Sequence, residues 1–468
     1  MLMKNGICGK FTRAALFACV LAAPAAFAGE GAWREVFAAD LSNADYDPAI
    51  WHRDAEGCLT AEKDVAIWTK ADYGRFELAC EYNLEPAANS GVVIYCGDTK
   101  NWIPNAVEIQ LLDDAAPKWK GLNPRQANLS FFGHQAPTAN PAKPAGEWNR
   151  LVIMADGPHL TVSLNGQKVN ECDLSKWTDA KKMPDGAAIP PWLSRPWSEL
   201  GPVGRIGFQG RHAGAGVRFR NVRIRPLPPP PPRSGLTLAS YNIRIGCGHD
   251  DPFKLPKGSL GHLPACADVI KAAAPDFAGL QEVDRRSARV GGVDQTAAMA
   301  RLCGLKGVWV EKIPNYGVSL LSREIPFAVE KTLMKGSLHT RALLVAEFAD
   351  CFVANTHFPL SAEACTAAAA TVRRVLASKA AVKPVFLMGD FNSTPDSAAI
   401  RALKEDFAVL SDERKFTWSA KSPDRTIDFI FVDKAHANLF KVAARDVQAH
   451  PEATDHCLVT VRLESCAR

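Results

Sequence analysis

Eight polar residues stand at the ends of apolar runs in the second half of the chain, where a strand leaves a sheet. They are Asn242 in Ser-Tyr-Asn, Glu282 in Leu-Gln-Glu-Val and His357 in Asn-Thr-His. Asp390 and Asn392 follow in Gly-Asp-Phe-Asn, then Asp428 in Ile-Asp-Phe-Ile and Asp455-His456 in Thr-Asp-His. Taken singly, each has an ordinary explanation as a turn residue, a cap or a structural histidine. Asp390 and Asn392 are two apart beside a glycine, so their side chains share a face. Carboxylates, amides and imidazoles gathered at one sheet edge suit the hydrolysis of an anionic ester. A hard divalent cation would neutralise the substrate, and a histidine would manage a proton.

The elements that must carry these residues alternate between strand and helix. Strands are expected over 236–245, 277–283, 318–322, 342–348, 351–356, 385–389, 427–432 and 457–463, and helices over 263–274, 294–303 and 362–379. That is a mixed α/β domain. The segment before it differs in texture. Short alternating runs recur at 76–82, 91–96, 107–112, 150–154, 160–164, 205–209 and 217–224, divided by turns such as Leu164-Asn165-Gly166. Asn-Gly between β-formers is a hairpin signal, and many short strands of this kind predict an all-β sandwich. Five prolines, Pro228 to Pro232, separate the two textures. Such a run favours an extended polyproline rod.

In this order, the strand-end motifs resemble the endonuclease/exonuclease/phosphatase superfamily over residues 236–464. The matching stretches also include Tyr316-Gly317-Val318-Ser319-Leu320-Leu321-Ser322-Arg323. The resemblance implies an α/β two-sheet sandwich of the deoxyribonuclease-like kind, a phosphodiesterase or phosphoesterase activity, and Mg²⁺ or Mn²⁺. It puts Asn242, Glu282 and Asp455 on the metal. It gives catalytic roles to His357, Asp390, Asn392, Asp428 and His456, with His456 close to Asp428. Asp390 and Asn392 would orient water and hold a phosphate oxygen, and His357 would donate to another. Arg341 could add a cationic clamp. No motif residue is replaced, so the domain is expected to be active.

Residues 29–225 are similar to 3-keto-disaccharide hydrolase-type domains, whose fold is a concanavalin-like jelly roll. Phe76-Glu77-Leu78, Ala88-Asn89-Ser90-Gly91-Val92, Val107 to Asp113, Gly146-Glu147-Trp148-Asn149, Ile206 to Gly210 and Phe219 to Val222 carry the likeness. Glu108 and Gln110 share a strand face and, with Asp113 and Trp102, could grip or cleave a sugar. Trp148 could stack on a sugar or belong to the core. Gly210 and Arg211 separate Gln209 from His212, a departure from the family's usual context. Two functions remain open. One is a secreted phosphoesterase tethered to a glycan by its sandwich. The other is a carbohydrate-active or glycan-binding protein with an accessory phosphoesterase.

Bulk properties bound these readings. The chain has 468 residues, 47% hydrophobic and 22% charged, with a net charge of +5. Residues 1–28 read as a signal peptide, with Lys4, Lys10 and Arg13, an apolar stretch and Ala26-Phe27-Ala28, so a secreted or periplasmic protein is expected. Its removal takes three positive charges from the +5 and leaves +2. No apolar run reaches the roughly 18 residues of a membrane helix. Thus four segments are expected: 1–28 signal, 29–225 sandwich, 226–235 linker and 236–464 hydrolase. Charge does not choose among nucleic acid, lipid headgroup and sugar phosphate as the phosphoester. Arg244, Arg285, Arg286 and Arg289 lie near the motif loops, and solvated charges are their ordinary reading. Eleven cysteines follow the signal, with no Cys-x-x-Cys pair and no pairing assigned.

Overall fold

The protein is described by a computed structural model covering residues 31–228, 235–249, 254–336 and 338–466. The signal segment and residues 229–234 of the proline run lie outside the described residues.

The first half is a sandwich of two antiparallel sheets. One carries Phe76–Leu84, Asn149–Asp156, His159–Leu164, Gln167–Asp173 and Val217–Pro226. The other carries Ile67–Tyr73, Asn89–Cys96, Val107–Leu112 and Gly204–Phe208. Alternation drives this arrangement. Leu151, Ile153 and Ala155 point inward and are fully buried, while Arg150, Met154 and Asp156 face out. The Asn165-Gly166 turn takes positive φ at both residues (50° and 86°) and closes the hairpin with Leu164 opposite Gln167.

The second half has four layers. Its inner sheets are Lys306–Ile313, Tyr316–Ser322, Phe277–Asp284, Gly235–Asn242, Leu458–Ser465 and Phe440–Gln448, facing Ala328–Met334, Arg341–Glu347, Phe352–His357, Val385–Asp390 and Asp428–Asp433. Between them Leu238, Phe277, Leu320, Leu344, Phe386 and Ile430 form the core. Helices Leu263–Ala273 and Gln295–Cys303 cover one outer face, and Ala362–Ala380 and Ala398–Asp406 the other. Asp294, Ser361 and Ser397 cap three of these helices by accepting a backbone N–H. Among the described residues, eleven cysteines are free thiols. Nine of them are buried, as expected for small apolar fillers.

The two halves share a sheet. The Ala328–Met334 strand pairs antiparallel with Ile67–Tyr73, placing Ala328 opposite Tyr73 and Val329 opposite Asp72. Phe327 and Ala328 are buried in the core of the first half, with the Phe327 ring 5.6 Å from Tyr73. Arg34 donates two hydrogen bonds to Glu347 at 2.9 and 2.7 Å, and Lys383 donates a third at 3.0 Å.

Candidate active site

Strand order places the polar residues side by side. The Phe352–His357 and Val385–Asp390 strands run parallel with His357 opposite Asp390, and the antiparallel Asp428–Asp433 strand sets Asp428 opposite Asp390. Three adjacent strands therefore end in one row of His357, Asp390 and Asp428. The close approach needs Gly389, where an added Cβ would stand 2.3 Å from the Thr356 carbonyl oxygen. Across the sandwich, Gly235–Asn242 and Phe277–Asp284 also run parallel, bringing Asn242 beside Gln281. Glu282 sits in a break of register with φ 54°, and Asn392 has φ 45°. Bulges and left-handed backbone re-aim side chains next to active sites, at a cost of about 1–3 kcal/mol each.

Hydrogen bonds tie the row together. Asn242 Nδ2 donates to Asp390 Oδ2 at 3.1 Å and approaches Glu282 Oε1 at 3.4 Å. The Asn392 backbone N–H donates to Asp390 Oδ1 at 2.9 Å. His456 Nδ1 donates to Asp428 Oδ2 at 3.1 Å, and its Nε2 lies 3.7 Å from Asp390 Oδ2. The Thr454 hydroxyl donates to the Asn242 carbonyl at 2.9 Å, fixing the Asp455-His456 turn against that strand. Thr417 Oγ1 accepts the N–H groups of Ile427 and Asp428.

Electrostatics separates the roles. Burial alone would push the His456 imidazole down, but Asp428 and then Asp390 outweigh it and hold the ring up to about 10. Burial and the neighbouring Asp428 hold Asp390 up to about 7. Burial, with Glu282 nearby, also pushes Asp455 up. His357 is pushed well down by burial, Lys312 and Arg341.

The oxygen donors suit a hard divalent cation. Glu282 and Asp455 offer carboxylate oxygens, and the Asn242 amide would have to turn over to add its own, since its Nδ2 now faces Glu282 and Asp390 while its Oδ1 accepts the Arg244 N–H. Asp390, Asp428 and His456 also converge, within 4.8 Å of one another. A histidine kept protonated by two carboxylates is a poor ligand, so that triad reads as a proton-handling group.

All eight strand-end residues converge in this cleft. Arg341 joins them, buried, with Nη1 3.4 Å from His357 Nδ1. Lys312, 4% exposed, also reaches His357 Nδ1 at 3.4 Å and lies 3.8 Å from the Tyr316 ring centre. Sequence reasoning missed Lys312. Its signal was alternation, because Val308, Val310 and Lys312 share the buried face of Lys306–Ile313.

The residues singled out in the first half do not all meet. Glu108 lies in a notch left by Gly91, whose added Cβ would stand 2.3 Å from Glu108 Oε1. Burial and Asp64 push Glu108 up to about 8. Gln110 is buried and donates to Asn89 Oδ1 at 2.9 Å. His212 pairs with Asp64 at 2.5 Å and its backbone with Asn89. Trp102 packs edgewise on Trp68 at 6.1 Å. Asp113 lies past the strand end. Its Oδ2 accepts the Ala87 N–H, and it lines a separate pocket with Tyr82 and Asn149. Trp148 stands against the other sheet with the Arg220 guanidinium 4.0 Å from its ring, so that face is covered.

Residues 30–225 match the 3-keto-alpha-glucoside-1,2-lyase-like domain, and residues 239–456 match the endonuclease/exonuclease/phosphatase family. Among solved structures, a glycosyl hydrolase candidate from Parabacteroides distasonis ATCC 8503 is 45% identical. The match covers 42% of this chain and 100% of that one, with a TM-score of 0.41. An endonuclease/exonuclease/phosphatase from Beutenbergia cavernae DSM 12333 is 23% identical over 50% of this chain and 72% of that one, with a TM-score of 0.40. A mannosyl-6-phosphatase of Bacteroides thetaiotaomicron VPI-5482 is 17% identical over 49% and 99%, with a TM-score of 0.38. No curated protein matches the chain. The chain thus joins a 3-keto-alpha-glucoside-1,2-lyase-like domain to a domain of the endonuclease/exonuclease/phosphatase family.

Proposed function

We propose that the protein is an exported, divalent-cation-dependent phosphoester hydrolase whose first half recognises a sugar. The observation that carries this reading is the row His357, Asp390, Asp428, completed by His456 at 3.1 Å from Asp428. Asp428 accepts from Nδ1, so the Nε2–H of the imidazolium faces the cleft. It donates to a phosphoryl oxygen and offsets charge that grows there. Asp390, held near 7, takes a proton from the attacking water, and Asn392 orients that water. Glu282, Asn242 and Asp455 would hold Mg²⁺ or Mn²⁺, which supplies Lewis-acid neutralisation of the phosphate.

The test is hydrolysis of p-nitrophenyl phosphate and its bis ester by the purified full chain with Mg²⁺ or Mn²⁺. Activity is expected, and Asp390→Ala and His456→Ala should abolish it. Wild-type rates in both variants would refute the assignment. Export is tested by sequencing the mature N-terminus, expected at Gly29.

A second reading makes the sandwich the principal enzyme or glycan binder. It is favoured by Glu108, a carboxyl pushed up to about 8 by burial and Asp64 and poised as an acid on the same strand as Gln110. If Glu108→Gln removes all turnover of 3-keto-glycosides and no phosphoester is cleaved, this reading replaces the first.

A further inference from the structure

One end of the phosphoester cleft holds two buried basic groups with no carboxylate in contact, although Glu282 and Asp390 attract Lys312 from farther off. Lys312 is 4% exposed and Arg341 9%. Among the described residues neither forms an ion pair with a carboxylate, and the buried Arg341 Nε has no hydrogen-bond partner. Both donate only toward His357 Nδ1, each at 3.4 Å. That nitrogen is therefore the acceptor, and the ring proton sits on Nε2, 3.5 Å from Asp390 Oδ2.

Burial of an unpaired ion costs several kcal/mol after relaxation. The Tyr316 ring under Lys312 returns on the order of 1–2 kcal/mol by cation–π attraction. Burial and Arg341 pull the Lys312 ammonium down to about 7, so loss of its proton answers part of the cost and leaves the rest, with that of the permanently charged Arg341, to a ligand. An anion arriving between Lys312 and Arg341 answers it. Arg341 Nε–H and the Lys312 ammonium supply donors for non-bridging oxygens.

We propose that Lys312 and Arg341 together bind a terminal phosphate dianion, making the C-terminal domain selective for phosphomonoesters over phosphodiesters. This rests on the phosphoester reading above. A monoester carries nearly two negative charges near pH 7, since its second pKa is about 6. A diester carries one, and its second substituent needs room. The Tyr316 ring, 3.8 Å from the Lys312 ammonium, occupies that side and takes room from a second substituent.

The test uses the full chain with Mg²⁺ and two probes, p-nitrophenyl phosphate and bis-p-nitrophenyl phosphate, beside calorimetric binding of inorganic phosphate. Wild type should favour the monoester at least tenfold in kcat/KM. In Lys312→Met that preference should fall at least tenfold, and phosphate should bind at least tenfold more weakly. Lys312→Arg, which keeps the charge, should restore part of both and serves if the methionine variant misfolds. A wild-type preference for the diester, or a preference and phosphate affinity unchanged in Lys312→Met, overturns the phosphate site while leaving the phosphoester reading intact. If neither ester is cleaved, that reading fails separately. Phosphate binding lost in Lys312→Met then still supports the phosphate site, and unchanged or undetectable binding overturns it.

Discussion

Replacing Asp428 by asparagine tests the proton-handling pair most directly. The change keeps shape and removes one charge 3.1 Å from His456 Nδ1, where both side chains are buried. Two unit charges about 4 Å apart at an effective dielectric near 20 interact by about 4 kcal/mol. At 1.36 kcal/mol per tenfold change, that lowers the His456 pKa by about 3, from about 10 to about 7. The sign is fixed by the charge. The imidazolium loses its chief ally, so it deprotonates at lower pH. At pH 8 wild type would be almost fully protonated and Asp428→Asn only about one-tenth so. The alkaline limb of the kcat profile should move down by about 3 pH units, with kcat at pH 8 falling at least tenfold and partly recovering at pH 6. Loss of the positioning hydrogen bond adds to this, within the 10²–10⁴ range of acid–base contributions. Imidazole NMR titration would report the same displacement without turnover. An alkaline limb and a histidine titration that both stay in place would refute the pairing argument.

Asp390→Asn should abolish activity yet raise Tm at pH 8 in the presence of a chelator. A carboxylate held at about 7 instead of 3.8 destabilises the fold above pH 4, fully so above 7, by on the order of 4 kcal/mol at most. A lower Tm than wild type at pH 8 would contradict this, and the gain should vanish near pH 4. Gly91→Ala puts a methyl 2.3 Å from Glu108 Oε1, so it should disturb sugar turnover or binding and leave phosphoester hydrolysis within twofold. Glu347→Ala removes a buried carboxylate shared by Arg34 and Lys383. Because Arg34 is about half exposed, the loss should be about 1–3 kcal/mol, read as a Tm lower by several degrees. Dialysis against a chelator should remove phosphoester hydrolysis, and Mg²⁺ or Mn²⁺ should restore it. Full activity in the chelator would overturn the ligand assignment.

The sandwich and the layered α/β half were legible because period-two alternation and long helices carry strong signals. The Val107–Leu112 strand was read to its ends, and Ala362–Ala380 to within a residue. Less was legible where tertiary pairing decides. Ala328–Met334 alternates weakly and is missing from the expected strands, because one of its partners, Ile67–Tyr73, lies in the other half of the chain. The strand-end residues were visible as motifs. Their convergence in one row, however, is a property of strand order, which local sequence does not encode. Lys312 was overlooked because a lysine on a core face looks like an error of register until its neighbours His357 and Tyr316 are known. Trp148 shows why sequence alone leaves two readings open. A tryptophan beside a turn looks available for stacking, but Arg220 already occupies its face.

The shared sheet bears on how the chain is made. Synthesis delivers Tyr73 long before Ala328, so the nascent first half emerges with its Ile67–Tyr73 edge uncovered at Asp72 and Tyr73, beyond the part that Ala44–Asp45 pairs, and with a gap where Phe327 belongs. Unpaired edges of this kind recruit other strands, including those of neighbouring copies. The newly made sandwich is therefore a hazard until the second half supplies its strand, and the chain must be kept from premature association during that interval. A gene cut at the proline run would divide the molecule where its composition changes and leave both products with the exposed edge that the intact chain covers.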